Sequence, residues 1–231
     1  MSGFQRALAS TAGTKFLVGA TGAVLAIFVL GHMLGNLQIF LGPEAMNSYA
    51  AGLKAMPGPL WAVRLGLLAA LVIHIAGNVK LSARNKAARP AAYTSQQPIV
   101  SSFASRTMLV SGLVLLAFIV YHLAHFTLGL TDPSNAELVD PIGRHDAYSM
   151  VVLGFQQPLA AGAYLVAMAL LFLHLAHGVA SLFQTAGLRR FDLRLSLDAA
   201  GRLFAIVVVL GNITIVLACL FGIIEPAQSA Y

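Results

Sequence analysis

Uninterrupted apolar stretches of about 20 residues, the length that crosses a bilayer as a helix, recur five times along the chain, each bounded by charge or by Pro and Gly. They run from Phe16 to Phe40, Leu60 to Val79, Thr107 to Leu130, Pro158 to Phe183 and Leu203 to Ile224. The pattern predicts an all-α membrane protein with five transmembrane helices, organised as a single transmembrane domain over residues 1–231. The first stretch is too long for a signal-peptide core, follows a short flank holding Arg6 and Lys15, and carries His32 and Asn36 within it. It reads as a retained helix. Trp61, near the start of the second stretch, fits an interfacial anchor.

Composition agrees with lipid as part of the solvent. Of 231 residues, 58% are apolar and 10% charged, with a mean hydropathy of +0.82, whereas a soluble domain has roughly a quarter charged residues. The one cysteine, Cys219, excludes an internal disulfide, a covalent haem attachment through Cys-x-x-Cys-His, and a cysteine-ligated iron-sulfur cluster made by this chain alone. No Gly-x-Gly-x-x-Gly opens a helix and no Walker A loop is present, so the chain offers no flavin, nicotinamide or phosphate cradle of those kinds. The net charge of +6 does not indicate nucleic acid, because the basic residues lie between apolar spans.

Those basic residues set an orientation. The amino-terminal flank, Lys80 to Arg106 and Gln184 to Arg202 hold Arg6, Lys15, Lys80, Arg84, Lys86, Arg89, Arg106, Arg189, Arg190, Arg194 and Arg202, eleven of fourteen Lys and Arg. The opposite side keeps Lys54, Arg64 and Arg144 with six of the eight acids, Glu44, Asp132, Glu137, Asp140, Asp146 and Glu225. The positive-inside rule then expects a cytoplasmic amino terminus and an external carboxyl terminus. The polar Lys80 to Arg106 segment has room for a short surface helix, and its basic side for a soluble partner.

Six of the seven histidines lie inside spans: His32, His74, His122, His125, His174 and His177. Ionisable side chains at membrane depth are costly and need a reason, of which the plainest is a neutral imidazole hydrogen-bonded between helices. Six in four helices ask for more. At about 1.5 Å per residue, His32 beyond Lys15 and His122 beyond Arg106 both stand roughly 25 Å from the cytoplasmic boundary. His74, six residues before Lys80, and His174 fall in the inner half. The first four helices thus offer two facing pairs, His32 with His122 and His74 with His174, suited to the axial positions of two haem irons in a four-helix bundle.

Local sequence supports a shared role: HMLGN at His32, HIAGN at His74 and HLAHG at His174, with glycine three or four residues on to give a flat ring room. HLAHF at His122 lacks it. The second ring nitrogen of each ligand is expected to donate to a carbonyl about one turn earlier in its own helix. Within His122/His125 and His174/His177, spacing alone cannot choose, since i and i+3 share a face. The match to the other motifs favours the first of each, leaving His125 and His177 for hydrogen bonds to haem or quinone or between helices. Zinc would want three or four ligands at one level, with carboxylate or thiolate among them, and no Asp or Glu lies in a histidine-bearing span. Methionine ligation by Met33 or Met168 is a further alternative to core filling. His145 reads as a solvated loop residue, and the fifth span, without histidine, as a flanking helix.

In GHMLGNLQIFLGPEAMNSYA, VIHIAGNVKLSARNKAARPAAY, ASRTMLVSG followed by IVYHLAHFT, and FLHLAHGVASLFQTAG, the chain resembles the cytochrome b membrane subunit of succinate dehydrogenase and fumarate reductase, the single-chain, five-helix, two-haem type. The likeness covers nearly the whole chain through the order and spacing of these fragments. It implies two haem b groups, the distal held by His32 and His122 and the proximal by His74 and His174. It also implies a bacterial cytoplasmic membrane, a flavoprotein and an iron-sulfur subunit docked on the cytoplasmic side, and electron exchange with membrane quinone, menaquinone or ubiquinone. Arg106 is then placed to pair with a haem propionate. With no carboxylate in the four-helix core, quinone protons would use water, histidine or boundary groups such as Glu44. The competing readings are a two-haem anchor of another dehydrogenase, such as a hydrogenase or formate dehydrogenase, and a polytopic transporter whose histidines relay protons.

Overall fold

In a computed structural model, the described residues are Gln5, 10–88, 103–187 and 194–227. The protein is 85% helix, and the described residues contain no strand, only an isolated antiparallel bridge between Val139 and His145. The elements are α1 (Thr11–Asn36), continued by a 3-10 turn at Leu37–Leu41, α2 (Pro43–Lys54) and α3 (Pro57–Ala87). Then come α4 (Phe103–His122), continued by a π turn at Leu123–Thr127, α5 (Pro133–Ala136), α6 (Ala147–Gln156), α7 (Pro158–Thr185) and α8 (Arg194–Leu220).

Five of these, α1, α3, α4, α7 and α8, are long and apolar enough to cross a membrane, so the chain is a multi-pass membrane protein. Each coincides with a predicted span, and the differences lie at the ends. α3 continues past Val79 through Lys80, Arg84 and Lys86 to Ala87. Cations in a last turn face the negative end of the helix dipole, so charge does not stop the helix there. α8 begins at Arg194, well before Leu203. The basic residues Arg6, Arg89, Arg189 and Arg190, and the greater part of the polar segment ending at Arg106, lie outside the described residues. Large apolar side chains such as Phe16, Ile27, Leu65, Leu68 and Val72 are exposed along the spans, as lipid contact requires.

The chain divides into two compact units. The first comprises Met1–Phe28, Arg64–Leu113 and Phe172–Ala205. In it, small residues let helices approach: a Cβ on Gly77 would stand 2.5 Å from Val18 Cγ2, and one on Gly201 would stand 3.1 Å from the Ala176 carbonyl oxygen. Thr14 is buried there, its hydroxyl donating to the Ser10 carbonyl at 2.8 Å.

The second unit comprises Val29–Val63, Val114–Leu171 and Ile206–Tyr231. It holds two helices that span-length reading passed over. α2 starts after Gly42, whose φ of 96° is a conformation that side chains resist, with Pro43 in the first turn and Glu44 near the positive end of the dipole. α6 is capped by Asp146, whose Oδ1 accepts from the Ser149 backbone N–H at 3.0 Å and from Asn47 Nδ2 at 3.0 Å. Asn47 in turn accepts the Tyr148 backbone N–H at 2.9 Å, so one buried amide joins α2 to the start of α6. A core of Ile39, Met46, Val152, Phe155, Tyr164, Val216 and Cys219 closes around this joint.

Beside it, Arg144 donates to Glu44 at 2.7 Å and to Asp140 at 2.6 Å. The Arg144 hydrogen bond, with Ser48 adding a second, holds the Glu44 carboxyl down at about 2. For Asp140, burial pushes the carboxyl up, and the side-chain and backbone hydrogen bonds of Arg144 outweigh it, leaving it below the usual range. His145 is half-buried beside buried Asp146 rather than fully solvated, and burial lowers its pKa. Nor is α8 a bystander. Its apolar window is 39% buried, the largest share among the five spans, and Gly211 receives the Met33 thioether, a contact that a Cβ would obstruct.

Candidate functional site: two imidazole pairs

In the first unit, His74 on α3 faces His174 on α7, with ring centroids 6.3 Å apart and planes at 62°. The His74 Nδ1 lies 3.1 Å from the Val18 carbonyl oxygen of α1. A carbonyl only accepts, so Nδ1 carries the hydrogen and Nε2 keeps its lone pair. His174 Nδ1 lies 3.4 Å from Ser111 Oγ on α4, while that hydroxyl donates to the Met108 carbonyl at 3.1 Å. The serine hydrogen being used, its oxygen accepts from His174, and Nε2 is again the bare nitrogen. Opposite these rings the backbone gives way: a Cβ on Gly22 would stand 3.0 Å from His74 Cε1, and one on Gly112 would stand 3.4 Å from His174 Cε1.

In the second unit, His32 on α1 faces His122 at the end of α4, with centroids 5.7 Å apart and planes at 80°. Asn36 donates to the His32 carbonyl at 2.8 Å, and its amide nitrogen also lies 3.2 Å from the ring Nδ1. His122 Nδ1 meets the Tyr164 hydroxyl of α7 at 3.1 Å. His125, on the π turn, meets the same hydroxyl at 3.2 Å. It is buried and stacks on Phe126 with centroids 3.9 Å apart. Phe118 packs edge-on against Tyr164 at 4.8 Å, as does Phe155 from α6 at 4.8 Å.

The structure therefore brings together His74 with His174 and His32 with His122, and gives His125 a hydrogen bond and a ring stack. His177 is half-buried in α7, and Arg106 is exposed near the start of α4. Met33 and Met168 are buried, Met33 against Gly211. Two local expectations fail. The second ring nitrogens of His74, His122 and His174 find partners on neighbouring helices rather than on their own, because a helix's own carbonyls are already committed to its i→i−4 ladder. The glycines after the motifs serve packing: a Cβ on Gly35 would stand 2.5 Å from the Tyr49 hydroxyl, the space at Gly77 is taken by Val18, and Gly178 has open space around it. The glycines that yield to the imidazoles, Gly22 and Gly112, sit on the preceding helices.

Sequence reasoning passed over Val18, Ser111 and Tyr164. Asn36 and Asn78 follow His32 and His74 at i+4, and each donates to its histidine's carbonyl at 2.8 Å. That repeat was visible in HMLGN and HIAGN. The partners on other helices leave no local pattern.

Chemically, each pair presents two neutral nitrogen donors across a gap. Two imidazoles bound to one metal from opposite sides, each at about 2.0–2.1 Å, hold their centroids roughly 6 to 6.5 Å apart. The His74–His174 spacing of 6.3 Å lies in that range and the His32–His122 spacing of 5.7 Å just short of it. Among the described residues no three His, Cys, Asp or Glu side chains gather as a self-sufficient metal site. Donors in twos suit a group that brings its other ligands with it, as a porphyrin does. No model of a known protein family, no characterised protein and no solved structure matches the chain.

Proposed function

We propose that the chain is a two-haem cytochrome b that anchors a succinate:quinone oxidoreductase in a bacterial cytoplasmic membrane. The observation that carries this reading is the two facing imidazole pairs, each on apolar helices, with Nδ1 of His74 and His174 tied to oxygen acceptors so that Nε2 is presented. In this reading α1, α3, α4 and α7 form the haem-binding bundle, His74 and His174 hold the proximal haem, and His32 and His122 hold the distal one. A bound haem b supplies a one-electron carrier with no proton of its own.

The chain's own groups do the rest. The paired imidazoles fix the iron's two axial sites. The hydrogen bonds to Val18 and Ser111 fix the tautomer and raise the basicity of the ligating nitrogen. Gly22 and Gly112 keep Cβ atoms away from the rings. Lipid-facing side chains exclude water, and Arg106 offers a cation for a propionate. The flavoprotein and iron-sulfur subunits dock on the basic, cytoplasmic side, and quinone is the membrane partner. The resemblance in order and spacing of the four histidine segments favours succinate over the substrates of other dehydrogenases.

Purified from its native membrane, the protein is expected to show b-type bands in a reduced-minus-oxidised spectrum, with two haems per chain, and to bring down a covalent-flavin subunit. A spectrum without b-type bands overturns the electron-transfer reading. Haem accompanied by a hydrogenase or molybdenum subunit instead overturns the choice of complex.

A further inference from the structure

Tyr164 offers one hydroxyl to two imidazoles. It is buried on α7, and its oxygen lies 3.1 Å from His122 Nδ1 and 3.2 Å from His125 Nδ1. A phenol has one hydrogen to give and lone pairs to receive. It can donate to only one of the two histidines, so the other donates to it. If His122 presents Nε2 to a metal, its hydrogen resides on Nδ1 and points at the Tyr164 oxygen. The phenolic hydrogen is then forced toward His125 Nδ1, and His125 carries its own hydrogen on Nε2. The opposite arrangement would protonate His122 Nε2 and abolish it as a ligand.

We infer that Tyr164, with His125 behind it, is a positioning relay that selects the ligating tautomer of His122 and tunes its donor strength. This rests on the haem reading above and extends it to residues that touch no metal. The Tyr164 oxygen accepts the His122 Nδ1 hydrogen and makes that imidazole more electron-rich. The hydrogen bond onward to His125 polarises the phenol and strengthens the effect. The surrounding rings hold the relay: Phe118 and Phe155 clamp Tyr164, and Phe126 stacks on His125.

The test measures the two haem potentials and the ferric low-spin signals of the purified complex, in the native protein and in variants. Y164F removes the acceptor for His122. One haem is expected to shift about tenfold toward its reduced form, about 59 mV for one electron, with a displaced ferric signal, while the other haem is unchanged. H125L leaves the Tyr164 oxygen in place but unpolarised, and is expected to move the same haem in the same direction by less. Y121F is the control. Tyr121 stacks on His125 with centroids 5.5 Å apart, without a hydroxyl bond to either histidine, and its loss of hydroxyl should move neither haem.

Two unperturbed haems in Y164F overturn the relay and leave the haem reading standing. Native protein without haem overturns the haem reading itself. If Y164F fails to accumulate or loses that haem, H125L decides: a displaced signal at one haem supports the relay, and two native signals overturn it.

Discussion

An imidazole in a membrane needs an assignment for each of its nitrogens, and here hydrogen-bond direction supplies it for His74 and His174. Substitution should expose the pairing. His74→Ala and His174→Ala are each expected to remove the same one haem, and His32→Ala and His122→Ala the other, read from the reduced-minus-oxidised spectrum. Loss of haem in His125→Ala together with retention in His122→Ala would reverse the choice within that doublet. The glycines permit a steric test. Gly22→Val adds bulk where even a Cβ would stand 3.0 Å from the His74 ring, at a cost of about 1–3 kcal/mol for overpacking. It should lower haem occupancy at His74 and His174, whereas Gly178→Ala, with open space around it, should leave both haems bound. The histidines were legible because ionisable groups stand out in apolar spans. Tyr164 and Ser111 were not, since a Tyr or Ser in a long helix signals nothing until another helix is beside it.

Among the elements, the spans were legible from length alone, while α2 and α6 were not. Both are short helices in polar connections, held by contacts distant in sequence, such as Asn47 with Asp146 and Tyr148. Gly42 before Pro43, and Asp146 three residues before Ser149, were their local signals. Asn47→Ala should leave the Tyr148 N–H without its partner in a buried place and lower stability by about 1–3 kcal/mol, measured as a drop in the thermal midpoint in detergent. The Glu44–Arg144 pair adds a pH dependence. Glu44 has its carboxyl lowered from 4.5 to about 2, so its contribution is present above pH 4.5 and is lost as pH falls toward 2. Stability profiles of the native protein and Glu44→Gln should therefore differ in slope between about pH 5 and 2 and run parallel above it. Parallel profiles throughout would show that the pair contributes nothing.

For the whole molecule, five apolar helices establish a multi-pass membrane protein, and the charge bias of the connections expects the amino terminus inside. Cys219 is fully buried and is the chain's one thiol, so cysteines placed singly report without interference. In sealed cells a membrane-impermeant thiol reagent is expected to label a cysteine at Lys54 or Ile142 and to spare one at Arg84. Labelling at Arg84 alone would invert the topology.

The π turn that closes α4 constrains how this protein can change. Its Leu128 N–H reaches back to the Leu123 carbonyl at 2.8 Å, one residue farther than an ordinary turn allows. Deleting one residue there would restore regular winding at no local expense, yet would turn everything downstream by about 100° relative to what precedes it. The slack loop thus works as a phase spacer, making this stretch intolerant of a length change that would pass unnoticed in a surface connection.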